Sequence, residues 1–316
     1  MKIFNSVDEI KRFPKPVLTI GNYDGVHIGH QKIIKKVVEV AGSIGGTPML
    51  MTFNPHPLSI LRPERHLGLL MPLYVKKRLL KEYGIEVLIV MEFTDALRQT
   101  PPENFVNDIL IEKLDIKALI VGYDFKFGRG GSGNTEMLKN ICSSRGIFFD
   151  AIDAITLDGD KVGSNRIRRL ILEGNVHRAS QLLGRTYFIE GRVTGGEKKG
   201  RALGFPTVNL DTSFEIIPKQ GVYISEIGIE SKMFSSVTNI GYKPTFDGNK
   251  LTIETFILDF NNDVYGRDIT LYFHEHIRDE KRFDSPEELR EQIRIDVDKA
   301  REFFNKNKKV MEVPKV

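Results

Sequence analysis

The chain has 316 residues, 41% hydrophobic and 28% charged, a balance that excludes wholesale disorder and a collagen-like chain. At ~150 residues per domain it holds about two domains. The formal net charge is +4, with 46 basic residues scattered among 42 acidic ones, which favours a small anionic ligand and argues against nucleic acid.

Cys142 is the one cysteine, so an intrachain disulfide and a cysteine-rich zinc site are excluded. No stretch approaches the ~18 apolar residues of a membrane span, and the first residues contain no run long enough for a signal peptide. The expectation is a cytoplasmic protein that acts on small molecules, with neither nucleic acid nor membrane as partner. The basic run from Lys306 to Lys309 reads as a solvated tail.

Residues 17–20 form a short apolar run bounded by Pro16 and Gly21, a buried strand. Over residues 31–41, Ile33, Ile34, Val37, Val38 and Ala41 recur at helical spacing. Strands follow at 48–53 and 87–90, with a helix at 73–83 between them. Thr100, Pro101 and Glu103 predict a helix start with a capping box. A strand at 117–121, a helix at 135–145 and a strand at 147–151 complete the first half. Five strands alternating with helices imply a parallel sheet with helices on both faces.

Two short helices are predicted between Ser164 and Gly184. Ser164 or Asn165 caps the first and Gly174 ends it; Asn175 caps the second and Gly184 ends it. From Tyr187 the periodicity becomes two. Strands are expected at 187–194, 222–229, 235–240, 252–260 and 269–274, an antiparallel barrel or sandwich. Ser285, Pro286 and Glu288 open a last helix that runs to about Phe304.

The densest chemistry lies between the first strand and first helix, from Gly21 to His30. Ligands of open parallel sheets bind at this end of the strands. Gly21, Gly25 and Gly29 let backbone approach a phosphate, Asn22 and Asp24 shape the turn, and the helix N-terminus supplies amide donors. His27 and His30 can donate hydrogen bonds to phosphate oxygens and stabilise charge that builds up at phosphorus. The dinucleotide fingerprint G-x-G-x-x-G is absent.

His27-Ile28-Gly29-His30 resembles the H-x-G-H signature of the nucleotidyltransferase superfamily. Thr52-Phe53-Asn54-Pro55-His56-Pro57 is similar to the T-F-x-P-H-P element of prokaryotic bifunctional riboflavin kinase/FAD synthetases. So is the run Val121-Gly122-Tyr123-Asp124-Phe125-Lys126-Phe127-Gly128, and so is the linker Leu182-Leu183-Gly184-Arg185. The run from Gly200 to Asn209 resembles the kinase motif G-R-x-L-G-F-P-T-A-N, and Asn239 to Phe246 and Tyr265-Gly266 continue the likeness. These motifs stand in the family's order over roughly residues 15 to 305.

The resemblance implies a Rossmann-like nucleotidyltransferase domain over residues 1–183, an antiparallel β-barrel riboflavin kinase domain with a terminal helix over 184–308, and a tail at 309–316. It implies two reactions: phosphorylation of riboflavin by ATP to FMN, then adenylyl transfer from ATP to FMN, giving FAD and pyrophosphate. Mg²⁺ would enter with ATP, held by Thr207 and Asn209. Glu254 would be the kinase's general base, and the loop with Lys198 and Gly200 would cover phosphates.

In the first domain, His27 and His30 would steady phosphates, while Asp124, Phe125 and Arg129 in its glycine-rich loop would meet nucleotide or flavin. His56 would shape the flavin side. Ser164, Arg166 and Arg168 would grip phosphate, in a stretch where the family carries S-S-T-R-I-R. This chain departs there, with Gly163 for a serine and Asn165 for a threonine. Tyr23 stands for Phe, Val208 for Ala, and Phe256 for a common His. The alternatives are a transferase for another acceptor, a kinase with impaired adenylylation, and a flavin- or nucleotide-binding regulator.

Overall fold

The computed structural model describes residues 1–65, 68–195, 203–245 and 248–307. Contacts divide the chain into two units, Met1–Gly163 and Ser164–Val316. The first is built on a parallel sheet of six strands in the order β1-β4-β3-β2-β5-β6. The strands are β1 (Lys2–Phe4), β2 (Pro16–Ile20), β3 (Thr47–Phe53), β4 (Val87–Met91), β5 (Ala118–Gly122) and β6 (Phe148–Ile152). Five match the expected runs within one or two residues. The sixth, β1, is three residues long and sits at the sheet edge beside β4, too short to show a period.

Helix α1 (Ile28–Ile44) starts earlier than its apolar stripe because His27 caps it, and it ends at Gly45 in the left-handed region, φ 63°. Then come α2 (Pro57–Leu61), α3 (Leu73–Glu82) and α4 (Asp95–Gln99). The predicted capping box at Thr100 does not form. Thr94 caps α4, and the Thr100 hydroxyl donates back to the carbonyl of Ala96, at the end of that helix. The following turn, α5 (Pro102–Asn104), has no side-chain cap and passes directly into a π-helix at Phe105–Lys113.

Helix α6 (Thr135–Ser144) is capped by Asn134. Leu18, Ile20, Met49, Met51, Leu119 and Val121 form one core face of the sheet with Leu110, Leu138 and Cys142. Burial pushes the Cys142 thiol up to about 11, which suits a packing role and not a nucleophile. A hairpin of β7 (Thr156–Leu157) and β8 (Asp160–Lys161) closes the unit. Asp158 and Gly159, at φ 53° and 81°, form its two-residue turn.

Helices α7 (Ser164–Leu172) and α8 (Val176–Leu183) were expected with the first domain; their contacts group them with the second unit, where α8 packs on the barrel. Asn175 caps α8 and Gly184 ends it at φ 68°. The strands β9 (Tyr187–Thr194), β10 (Thr207–Thr212), β11 (Gly221–Ile229), β12 (Lys232–Thr245), β13 (Gly248–Ile257) and β14 (Asp268–Arg278) close a barrel in the order β10-β13-β12-β11-β14-β9. Strand β10 was not among the expected strands; its first half overlaps the kinase-like motif, and its alternation carries only Val208 and Leu210 as apolar residues.

Helix α9 (Pro286–Asn307) is capped by the Ser285 hydroxyl, which accepts from Glu288 N at 3.2 Å. Its Val297, Ala300 and Phe304 pack against Val222, Ile224 and Val237 on the barrel's outer face. Asp296, on the same helix, is 1% exposed. It accepts from Arg278 Nε at 2.9 Å and Nη2 at 2.8 Å, and from Gln292 at 3.0 Å. Removing one partner of such a buried pair leaves a desolvated charge unmatched. Asp296→Ala is therefore expected to destabilise the barrel unit by about 3–5 kcal/mol, read as a lowered urea midpoint. Asp268→Ala, which breaks the exposed pair with Arg192, should leave that midpoint almost unchanged.

Candidate active sites

In the first unit a cleft of about 280 Å³ opens at the carboxyl ends of β2 and β5. Gly21, Tyr23, His27, Gly29 and His30 line one side; Gly122 to Phe125 and Lys161 to Gly163 line the other. The turn into α1 is strained. Tyr23, Gly25 and Val26 sit at φ 50°, 85° and 41°, a region that side-chain-bearing residues rarely adopt.

Buried bonds hold that turn. Asp24, 2% exposed, accepts from Leu70 N with both carboxylate oxygens, at 3.1 and 3.2 Å. The Asn22 carbonyl accepts from Lys76 Nζ at 2.9 Å and Thr52 Oγ1 at 3.2 Å. Tyr23 and Thr19 share a buried hydrogen bond of 2.5 Å, and burial pushes the Tyr23 phenol up. Burial lowers the Lys76 amine, and the charge of Asp24 opposes that. Asn22, Asp24 and Gly25 therefore frame the turn and do not line the cleft.

His27 caps α1: its Nδ1 accepts from His30 N at 3.3 Å. In the neutral ring the proton is then on Nε2, which makes that atom a donor. The His27 and His30 rings stack at 3.6 Å and 17°. Gly29 permits the arrangement, since a Cβ there would lie 3.2 Å from the His27 ring. The cleft thus combines two imidazoles with the positive end of a helix of 17 residues.

Across the cleft, Asp124 Oδ2 accepts from Lys161 Nζ at 2.8 Å, and the same ammonium lies 4.7 Å from the Tyr123 ring centroid. Lys161 was missed in the sequence; the Asp158-Gly159 turn between two short strands was the signal that could have found it. Phe125 stacks on Phe127 at 5.7 Å. The loop after it is a built turn. Phe127 and Gly133 exchange backbone hydrogen bonds, and a Cβ on Gly133 would meet the Phe127 ring at 2.6 Å. Arg129 is exposed on that loop, outside the cleft lining. His56 is also outside it: its Nδ1 caps α2, accepting from Leu58 N at 3.1 Å.

Ser164, Arg166 and Arg168 all lie on α7, in the second unit. Arg168 is buried and donates to Asn165 Oδ1 at 2.6 Å. The Asn165 that departs from the family pattern thus orients an arginine that the pattern keeps.

In the barrel, β13 pairs with β10 on one side and β12 on the other. Glu254 stands directly opposite Asn209 on β10 and Asn239 on β12, and Thr207 stands opposite Phe256. Directly opposed residues share a face of the sheet, so Thr207, Asn209, Glu254 and Asn239 form one polar row on the barrel's outside. Lys243, two pleats further along β12, ion-pairs with Glu254. Phe256 packs edge-on against Phe205 at 5.3 Å. Asn239 and Lys243 were quoted only as part of a motif; their place beside Glu254 depends on strand register. Lys198 and Gly200 lie outside the described residues.

The hydroxyl of Thr207 and the amide oxygen of Asn209 are hard oxygen donors. They fit a Mg²⁺ ion that takes its other ligands from phosphates and water. Among the described residues no group of three or more His, Cys, Asp or Glu could hold a metal alone.

An α/β unit with an imidazole-lined helix N-terminus, followed by a barrel with a polar row around one carboxylate, defines a two-module transferase. A FAD synthetase family model matches residues 9–166, and a riboflavin kinase model matches residues 183–304. A Bacillus subtilis bifunctional riboflavin kinase/FMN adenylyltransferase is 35% identical over 301 residues, 93% of this chain and 94% of its own. One from Escherichia coli (strain K12) is 34% identical over 311 residues, 98% and 99% of the two chains. A Streptococcus pneumoniae crystal structure described as a macrolide-efflux protein superposes with a TM-score of 0.87 at 29% identity, over 95% of this chain and 98% of that one. This chain belongs to the bifunctional riboflavin kinase/FMN adenylyltransferase family. Among the described residues, no helix is long and apolar enough to cross a membrane.

The role of Asp24 as a frame can be checked. Asp24→Ala should destabilise the Met1–Gly163 unit by about 3–5 kcal/mol, because it strips a buried amide and a buried ammonium of their carboxylate. Adding Lys76→Met should recover part of the loss. A double-mutant cycle of urea midpoints measures this coupling.

Proposed function

We propose that the barrel unit phosphorylates riboflavin with ATP, and that the α/β unit then adenylylates FMN. What carries this reading is the coexistence in one chain of two sites with complementary chemistry. One is the stacked His27–His30 pair at a helix N-terminus; the other is the Glu254–Asn209 pair across β13 and β10.

In the kinase reaction, Glu254 accepts the proton of the ribityl hydroxyl as that oxygen attacks the γ-phosphorus of ATP and ADP leaves. Thr207 and Asn209 would hold Mg²⁺, which when bound neutralises charge on the phosphate oxygens. Lys243, on β12, ion-pairs with Glu254 from the side away from β10. Asn239 offers an amide to the substrate hydroxyl or to a phosphate oxygen.

In the adenylyl transfer, a phosphate oxygen of FMN attacks the α-phosphorus of ATP and pyrophosphate leaves. His27 Nε2 donates toward the phosphate chain, and the amides of the first turn of α1 add to it. His30, held flat against His27, presents its ring to the same region. Gly21 and Gly29 leave room for phosphate beside the backbone. Asp124 and Phe125 are offered as contacts to the nucleotide or flavin. His56 and Arg129 keep a flavin-side role in this reading, with His56 acting through its cap on α2.

The test is product analysis. Full-length protein with riboflavin, ATP and Mg²⁺ should give FMN first and then FAD on chromatography. FMN alone would contradict the adenylyltransferase half, and neither product would contradict both. Glu254→Gln should cut riboflavin phosphorylation by ~10²–10⁴-fold and leave conversion of supplied FMN to FAD intact. His30→Ala should do the reverse. A folded variant that loses both activities would contradict the separation of sites.

A further inference from the structure

The adenylyl-transfer cleft must admit two anionic substrates, yet its own charges oppose them. Asp124 and Asp153 both line it. Among the lining residues the one lysine or arginine is Lys161. It stands on β8, one residue past the tight Asp158-Gly159 turn, and lines the same cleft as His27 and His30. Its place is fixed by contacts within the same unit: an ion pair with Asp124, a hydrogen bond to the Tyr123 hydroxyl and a seat over the Tyr123 ring. The bond to Asp124 and the bond to Tyr123 raise its pKa, so the amine carries its proton at any working pH.

An ammonium has three donors. Asp124 and Tyr123 take two, which leaves the third for a ligand. Lys161 and Asp124 are more than half exposed, so the pair biases where the ammonium sits and leaves it open to an incoming anion. Apart from the two histidines, Lys161 is the one lining side chain that brings a positive charge to a phosphate. We propose that Lys161 is a substrate-binding residue of the adenylyl-transfer site that grips a phosphate group through its third N–H, with Asp124 and Tyr123 as its positioning residues. The assignment rests on the adenylyltransferase reading of this cleft. Both ATP and FMN carry the required chemistry, and kinetics with each substrate varied in turn separates them.

The experiment compares full-length wild type, Lys161→Gln and Lys161→Arg. FMN adenylylation is measured with ATP varied at saturating FMN and with FMN varied at saturating ATP. Riboflavin phosphorylation by the same preparations reports on folding. A charge-assisted hydrogen bond of this kind corresponds to a ~10–100-fold change. Lys161→Gln should raise KM by that factor for the substrate whose phosphate it grips, with a smaller effect on kcat. Lys161→Arg should restore KM to within a few-fold, and all three proteins should phosphorylate riboflavin alike. A raised KM for ATP assigns the triphosphate, and a raised KM for FMN assigns the acceptor phosphate. If Lys161→Gln leaves both KM values within about twofold, or if its kinase activity falls in parallel, the assignment is overturned. Wild type that forms no FAD would instead overturn the adenylyltransferase reading itself.

Discussion

The proposed kinase site depends on the register of β13. Ile253, Thr255 and Ile257 turn into the barrel, and Glu254 and Phe256 turn out. A one-residue slip would reverse every one of them. The register is held from inside by a ladder of buried hydroxyls. Thr255 bonds Thr238 at 2.9 Å, Thr238 bonds Ser225 at 2.8 Å, and Ser225 bonds Ser236 at 2.8 Å. These four side chains are at most 1% exposed, so a slip would strand their hydroxyls in an apolar interior. With that register fixed, Glu254 meets Asn209 and Asn239, and Phe256 reaches Phe205. Val237 is then placed to receive α9.

The adenylyl-transfer cleft is fixed by a different device. Its turn contains non-glycine residues at positive φ, a conformation that persists only where the surroundings enforce it. Here the enforcement is polar and buried: Asp24 on the Leu70 amide, Lys76 and Thr52 on the Asn22 carbonyl, Tyr23 on Thr19. The residues nearest in sequence to the histidines thus hold the backbone, and the histidines themselves are left to face the ligand. Both sites rest their chemistry on regular elements, a helix start in one case and adjacent strands in the other, which suits reactions that need atoms held within a fraction of an ångström.

The alternation of buried strands with amphipathic helices was legible because each element carries its own period, and so was the period of two in the barrel. His27 and His30 stood out through the H-x-G-H spacing, and Glu254 through the family likeness alone. Other features were not legible. Strand β10 escaped although Thr207 to Thr212 alternates polar and apolar, because it has only two apolar residues, Val208 and Leu210, and its first half falls in the motif run that ends at Asn209. Thr100 looked like a cap, but Thr94 caps α4 six residues earlier and the Thr100 hydroxyl ends that helix instead of starting the next. Lys161, Asn239 and Lys243 gain their roles only from pairing across strands or across the cleft, which no local pattern reports. The framing role of Asp24 likewise depends on a partner, Leu70, that is 46 residues away.

The central claim is that one chain carries two chemically independent sites joined by a shared intermediate, FMN. Mixing variants tests this most directly. Glu254→Gln and His30→Ala proteins, each supplied with riboflavin, ATP and Mg²⁺, are assayed for FAD separately and then together. The account predicts no appreciable FAD from either alone and FAD from the mixture, because FMN made by the His30 variant is adenylylated by the Glu254 variant. A mixture that accumulates FMN but forms no FAD, although the Glu254 variant adenylylates added FMN, would contradict it.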